Sequence, residues 1–486
     1  MMSAKQTKNT KYFIHSAIGV LLMFGFGLLP PFEPLTPLGM RYIGILLGLI
    51  YLWSLVEMLW PSILALVAVV LTGQLSGAAI TAKAFGGDTI LLVIFSLAVI
   101  YALTNTGMFN YVTNWLLSRK CFQGHPWILS GTLLVTMYFL SALSGGNMAL
   151  LFLLWELVYK IADQIALPRS HPYCGSMVMG IIMAFVTGSC CLPFMPSYLF
   201  IVGMFQNMTG MASIPLIKAL LMNLVIGLSM LLFYILLMRF ILRVNVSKLK
   251  EAHLEELLQS LPPMNKRQKF SLFYLVFFIV MLVLPGTLNL VSHGTLAAAL
   301  SNMGTIGMCY LLFAILYIIR IDGEPILIFR EVAHQIQWEA VALMAVIFSF
   351  SPLITAEGTG VSEWLLSIVN PILGGHSPYV FTLLIFLITL ILTNFANNTV
   401  IMVLMITIIN VYTPQITLNL PVMACLMLFM SQTAFLLPAS SIYGALVHSQ
   451  AAIVSKRQLY ISALMTMVAA FLMMVLVGLP FGSLLM

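Results

Sequence analysis

Charge is what this sequence has least of. Asp, Glu, Lys and Arg make up 7% of its 486 residues, whereas a soluble domain carries roughly 25%. That shortage excludes a water-soluble fold. Cysteine is also sparse. Cys121, Cys174, Cys190, Cys191, Cys309 and Cys425 form no C-x-x-C pair and have no His at ligand spacing. A zinc site or disulfide framework is thereby excluded, and the thiols read as apolar filler. No H-E-x-x-H or G-x-S-x-G motif occurs, and the histidines fall mostly in loops. A membrane hydrolase would need a nucleophile–base pair that is missing here. The chain reads as a non-enzyme.

What is abundant is hydrocarbon: 61% of residues are hydrophobic and mean hydropathy is +1.07. Apolar runs near 20 residues recur along the whole chain, each able to cross about 30 Å of bilayer core. The fold class is therefore an all-α polytopic membrane protein, with the lipid bilayer as its solvent. The basic start followed by Tyr12–Leu29 has the outline of a signal peptide. Its apolar run is too long, and no A-x-A-like site follows, so it is kept as the first spanning helix.

Spans are expected at 12–30, 39–59, 60–75, 88–107, 215–240, 270–290, 297–319, 336–356 and 458–484. Two more, 176–206 and 421–453, are interrupted near Pro193–Pro196 and Pro438. The total is about 11 spanning helices. An amphipathic segment covers 108–120. Two longer runs, 126–161 and 378–410, carry polar breaks and are read as re-entrant helical hairpins. With that reading, every Lys and Arg except Arg41, Lys83 and Lys218 falls on one side. The positive-inside rule makes that side cytoplasmic. The net charge of +7 is thus a matter of topology and not of nucleic-acid binding. The protein is expected in the cell membrane, N-terminus cytoplasmic and C-terminus outside.

The polar stretch 244–269 reads as a cytoplasmic linker. Leu249, Leu257, Leu258 and Leu261 beside Glu251, Glu255 and Glu256 suit a short surface helix within it. It divides a first repeat, 1–243, from a second, 270–486. Leu192-Pro193-x4-Tyr198-x3-Val202 matches Leu437-Pro438-x4-Tyr443-x3-Val447. Leu140-Ser141 pairs with Leu392-Thr393, and Gly145-Gly146-Asn147 with Asn397-Asn398-Thr399. One hairpin opens from each side, so the repeats are inverted. Inverted repeats with broken helices mark a secondary transporter, with the solute site at their interface.

Polar residues at membrane depth are tolerated only where protein or a water-filled cavity covers them. At a hairpin tip the entering arm ends in free carbonyls suited to a cation, and the leaving arm begins with free N–H groups suited to a carboxylate. Asn and Thr add donors and acceptors without burying a charge. A Na⁺ site is expected from Thr393, the Ala396 carbonyl and Asn398. Asn397, Asn398 and Thr399 are expected to face the solute.

Several of these motifs resemble the divalent-anion:sodium symporter (DASS) family of di- and tricarboxylate carriers. They are Leu29-Pro30-Pro31 with Leu35-Thr36-Pro37, Ala84-Phe85-Gly86-Gly87, Thr106-Gly107, Thr359-Gly360 and Thr393-Asn394-Phe395-Ala396-Asn397-Asn398-Thr399. The resemblance implies an elevator-type carrier, usually a homodimer, with Na⁺ as coupling ion beside each tip and a small anionic solute between them. Two departures bear on this. Gly145-Gly146-Asn147 replaces the family's Ser-Asn-Thr in the first tip, so Gly146 stands where an asparagine would contact cation and substrate. Ser141 and the Ser144 carbonyl remain for Na⁺ there, with Asn147 toward the solute. Met195-Pro196-Ser197-Tyr198 and Ser440-Ser441-Ile442-Tyr443 replace the Thr-Pro-Pro-Asn-like breaks. This leaves Ser440 for Na⁺, Ser197 and Ser441 for the solute, and Tyr198 and Tyr443 as candidate cavity walls. No Arg or Lys sits in either tip, which disfavours citrate-like trianions.

Asp88 suits the head of a spanning helix, Glu156 a position near the interface, and Glu57, Glu339 and Glu357 other helix ends. His448 reads as a packing residue. The leading function is a Na⁺-coupled carrier of small di- or tricarboxylates or related anions. A Na⁺-independent anion exchanger or another carrier of the wider ion-transporter superfamily is the alternative within transport, a membrane enzyme is the rival outside it, and a channel is the further possibility.

Overall fold

A computed structural model describes residues 2–117, 125–251, 263–291, 295–438 and 440–486. Arg119, Lys120 and Cys121, and positions 252–262 of the expected linker helix, lie outside these residues. The chain enters through α1 (Met2–Gly25), α2 (Pro37–Leu55) and α3 (Leu59–Leu71). A short α4 (Gly77–Phe85) then turns by 49° into α5 (Asp88–Thr104), which α6 (Met108–Leu117) follows. A helical hairpin comes next, α7 (Pro126–Ser144) and α8 (Met148–Gln164). An interrupted pair, α9 (Pro172–Ser189) and α10 (Pro196–Thr209), leads to α11 (Leu216–Leu236), which a π turn extends to Ile241.

The second half repeats this order. After α12 (Lys266–Val291) and α13 (Thr295–Ile318), the short α14 (Phe329–Gln335) turns by 66° into α15 (Trp338–Ile354). Then come α16 (Val361–Leu373) and a hairpin of α17 (Pro378–Leu392) and α18 (Asn398–Tyr412). The interrupted pair is α19 (Leu420–Ser431) and α20 (Ile442–Ser449). The chain finishes in α21 (Lys456–Met473), a π turn and α22 (Leu479–Leu485). The only strands among the described residues are a two-residue pair, Arg320–Ile321 against Glu324–Pro325, closed by Asp322 and Gly323 at positive φ.

The protein is an all-α polytopic membrane protein. Seven helices are long and apolar enough to cross a bilayer, or up to ten if each bent pair counts as one span. The expected eleven differ from that range because several runs are broken inside. Gly304 (φ +61) kinks α13, and α3, α18 and α19 are short apolar helices. The sequence pattern also passed over α4, α14 and α16, which flank or follow spans and are too short to register as apolar runs.

Helix starts follow local chemistry. Proline occupies the first turn of α2, α7, α9, α10, α17 and α19, where its missing N–H costs nothing. Thr36, Ser76, Asn419 and Ser455 cap α2, α4, α19 and α21 by accepting from an N–H three residues on. Between helices in a bilayer there is little hydrophobic drive, so close packing must hold them. Gly188 of α9 lies against the Tyr138 backbone of α7, where any Cβ would run into the carbonyl.

Two distant joints use the Thr-Gly pairs. Thr36, the cap of α2, donates its N–H to the Thr359 carbonyl at 3.1 Å and its hydroxyl to the Gly358 carbonyl at 2.9 Å. A Cβ on Gly39 would strike the Thr359 carbonyl, and one on Gly360 (φ +72) the Pro34 carbonyl. At the corresponding point of the other half, Gln268 of α12 donates to the Thr106 carbonyl at 3.5 Å, beside Gly107 (φ +75). The same dipeptide thus docks on the first turn of α2 and of α12. The first joint demands more of its glycine. Gly39→Ala is expected to lower stability by about 1–3 kcal/mol through overpacking. Gly77→Ala, at a site with nothing within 4 Å, leaves it nearly unchanged. Thermal unfolding of the two purified variants checks this.

Candidate functional site

The site starts from the two hairpin tips. In the second, α17 ends at Thr393, whose hydroxyl donates to the Thr389 carbonyl at 2.9 Å. Asn394 is fully buried. It donates to the Leu390 carbonyl at 2.8 Å and accepts the Leu436 N–H at 2.9 Å. One amide therefore ties the tip to the break between α19 and α20. Asn397 caps α18 by accepting the Thr399 N–H at 2.9 Å. The next residue differs: the Oδ1 of Asn398 is buried and has no hydrogen-bond partner. Leaving such an oxygen unmet costs roughly 1–3 kcal/mol unless something binds it.

The first tip is built from backbone. Gly145 (φ +69) and Gly146 (φ +79) are both left-handed, and their N–H groups return to the Ser141 carbonyl. A Cβ on Gly146 would find room, 3.8 Å from Phe185 and Ser189. The backbone angle, rather than crowding, makes a side chain costly there. Asn147 caps α8 through Ala149. The Ser141 hydroxyl donates to the Phe185 carbonyl of α9 at 2.5 Å, and the Ser144 hydroxyl accepts the Asn147 N–H at 3.2 Å.

The breaks are tied by side chains, although the Oδ1 of Asn223 is buried without a partner as that of Asn398 is. Asn223 of α11 donates to the Cys190 and Cys191 carbonyls that end α9, at 3.1 and 3.3 Å. Ser440 and Ser441 both donate to the Ala434 carbonyl, and Ser441 also caps α20 at Gly444. His448 packs its ring on Tyr460 and pairs Nε2 with the Phe435 carbonyl at 3.0 Å. It thus does structural work at the break.

These pieces surround a cavity of about 610 Å³. Met148, Pro196–Ser197, Asn398–Thr399 and Ile442–Tyr443 line it. They are the opening residues of α8, α10, α18 and α20. With Met58–Leu59 at the start of α3 and Gln337–Glu339 at the start of α15, six helix N-termini line one space, each carrying a partial positive charge. α10 has no side-chain cap at all. Among the expected residues, Ser197, Asn398, Thr399 and Tyr443 reach the cavity wall. Gly146, Asn147, Asn397 and Ser441 lie one or two residues behind it as turn or cap. Ser141, Ser144, Thr393, Ala396 and Ser440 stand further back, in the tips and break. Tyr198 faces away, onto a separate 260 Å³ space with Thr89, Gln206 and Thr305.

Sequence reasoning missed the opposite wall. Gln337, Trp338 and Glu339 at the start of α15, and Ser431 and Gln432 at the end of α19, also line the cavity. Ser431-Gln432-Thr433 inside a long apolar run was the available signal, since polar residues there need cover. Glu339 had been read only as a helix-end carboxylate. Among the described residues it is the only charged side chain on the cavity wall.

Of the expected cation ligands, Asn398 Oδ1 has no partner, whereas the hydroxyls of Thr393 and Ser440 donate to backbone carbonyls and keep only lone pairs to offer. Hard oxygen ligands of this kind fit Na⁺.

A half-open, largely apolar cavity with a few polar groups, set between broken apolar helices, is the kind of space a membrane carrier of small solutes has. The chain belongs to the citrate transporter (CitMHS) family, whose model matches residues 45–431. The match takes in both tips, the first break and every cavity-lining residue except Gln432, Ile442 and Tyr443. Comparison with curated proteins gives no match. The family makes the chain a secondary transporter of carboxylates or related anions.

The two tip asparagines separate in their expected behaviour. Asn394→Ala removes both bonds of a buried amide and is expected to cost about 1–3 kcal/mol of stability without any ligand. Asn398→Ala removes an oxygen that bonds nothing, so it leaves ligand-free stability near wild type and abolishes stabilisation by added NaCl over choline chloride. Thermal-shift measurements on both variants check this.

Proposed function

We propose that the protein carries small di- or tricarboxylates, or related anions, by Na⁺-coupled alternating access. The supporting observation is that six helix N-termini, those of α3, α8, α10, α15, α18 and α20, line one cavity on whose wall no Lys, Arg or His stands among the described residues. Such ends bind a carboxylate through N–H groups and partial charge. A fixed cation would hold the anion too firmly for easy release. Na⁺ would sit with Thr393, the Ala396 carbonyl, Asn398 and Ser440. A second ion at Ser141 and the Ser144 carbonyl has less support, because the Ser141 hydroxyl is engaged by Phe185 and Gly146 brings no side chain. Bound Na⁺ supplies positive charge beside the solute, while the protein's own residues orient its carboxylates: Ser197, Asn398 and Thr399 at the wall, with Asn147, Asn397 and Ser441 setting the helix starts.

In this reading the hairpins α7–α8 and α17–α18 are re-entrant and belong to inverted repeats. The N-terminus is cytoplasmic, the C-terminus outside, and Met58, Leu59 and Ile336–Glu339 mark a mouth on the cytoplasmic side. The repeats move together as an elevator within a homodimer.

Reconstituted vesicles test the function. Saturable succinate uptake that supports counterflow is expected, falling at least about tenfold when choline replaces Na⁺. Uptake indifferent to Na⁺ would overturn symport in favour of exchange, and an ohmic current would overturn the carrier itself.

A further inference from the structure

We propose that the 260 Å³ space beside Tyr198 is a second anion site, separate from the solute cavity, that takes one small carboxylate. α10 lines both spaces: Ser197 borders the solute cavity, and Tyr198, the next residue, borders this one. The choice of a carboxylate rests on the family's solute class, whereas the site itself rests on the residues around it.

Tyr198 is the residue that points to a ligand. It is 2% exposed and lines the space, and its hydroxyl has no hydrogen-bond partner among the described residues. A buried phenol ordinarily finds one. Tyrosines buried as deeply on the neighbouring helices do so: Tyr138 donates to the Asn223 carbonyl, Tyr234 donates to the Ser176 carbonyl, and Tyr173 pairs with Ser130. Tyr198 is kept from protein partners and turned to a space instead. The wall there adds Thr89, Gln206, Ser213 and Thr305, and among the described residues it has no charged side chain.

Three helices open onto this space. They are α5 at Thr89, α11 at Leu216, and α13 at Thr305, where its helix restarts after Gly304. Neither α5 nor α11 has a side-chain cap. α10 borders the space from its first turn at Tyr198 to its last at Gln206, so its two ends offset each other. Asp88 and Lys218, in the first turns of α5 and α11, stand off the wall and bring opposite unit charges. The helix openings therefore leave the space with a partial positive charge. Hydroxyls, an amide and helix openings are all donors, the set from which a carboxylate accepts. The competing account is that water alone fills the space and satisfies Tyr198.

Equilibrium dialysis of radiolabelled succinate against the purified full-length protein separates the two accounts. Wild type is expected to show two classes of binding site, one for each space. Tyr198→Phe removes a hydroxyl that bonds nothing in the protein, so it is expected to fold as wild type does. It is expected to weaken one class about tenfold, the low end for a hydrogen bond to a charged group. Gln206→Leu weakens the same class, and Thr399→Ala, on the wall of the solute cavity, weakens the other. A single class that responds to Thr399→Ala but not to Tyr198→Phe or Gln206→Leu would overturn the second site and leave the carboxylate reading of the main cavity standing. A single class that responds only to Tyr198→Phe and Gln206→Leu would support this site and count against that reading. No binding to wild type would overturn both.

Discussion

The constraint on which the rest depends is that a backbone N–H or carbonyl deep in an apolar protein must find a partner. Each broken helix here exposes several such groups, and the chain answers with a small set of neutral side chains. Asn394 closes the second tip against the break at Leu436. Asn223 holds the carbonyl end of α9. Ser440 and Ser441 share the Ala434 carbonyl. Once these ends are paired, the helix openings of α3, α8, α10, α15, α18 and α20 line a common space with their partial positive charges. The site is the remainder of the hydrogen-bond accounting.

Much of this was legible before any coordinates. The tips announced themselves because Thr393–Thr399 and Ser144–Asn147 are clusters of polar and turn-forming residues where the surroundings are apolar, whereas a single buried Asn such as Asn223 serves to hold a helix end. Proline marked helix starts for a reason that is purely local. The opposite wall was harder. Glu339 sits where a carboxylate is comfortable on any helix, so its position in sequence carried no hint of a cavity. Gln432 belongs to a polar trio that was overshadowed by Pro438, although the helix ends at Ser431. Tyr198 and Tyr443 occupy matched places in the two halves yet face different spaces. Side-chain direction after a break depends on how the second helix is rotated, which spacing does not encode. The short helices α4 and α14 were missed because seven to nine residues hold too few turns to show a period.

The halves share an order of elements and differ in how firmly they are made. One tip has an amide, Asn394, that bridges two elements; the other relies on Gly145 and Gly146 in left-handed conformation and on Ser141. One Thr-Gly joint has two good hydrogen bonds and two glycines that no other residue could replace, whereas its counterpart has a single 3.5 Å contact. Two halves built alike but tightened unequally are what a chain needs if it is to exchange the two arrangements. The difference in bonding is then a difference in the free energy of each joint, of the order of one or two hydrogen bonds, about 1–3 kcal/mol. That is small enough for a bound ligand to shift.

The absence of Lys and Arg from the cavity wall belongs to the same economy. A buried cation would need permanent pairing, and breaking such a pair typically costs about 3–5 kcal/mol. An empty cavity would then be a strained one. Helix openings carry partial charge that water can satisfy when the solute leaves, so loaded and unloaded states stay close in energy. Asn398 fits this pattern: it lines the cavity, and its buried Oδ1 has no partner to give up before it bonds. A carrier must release what it binds on every cycle. Weak, well-placed neutral groups meet that demand better than strong charged ones, and that is the composition this chain has.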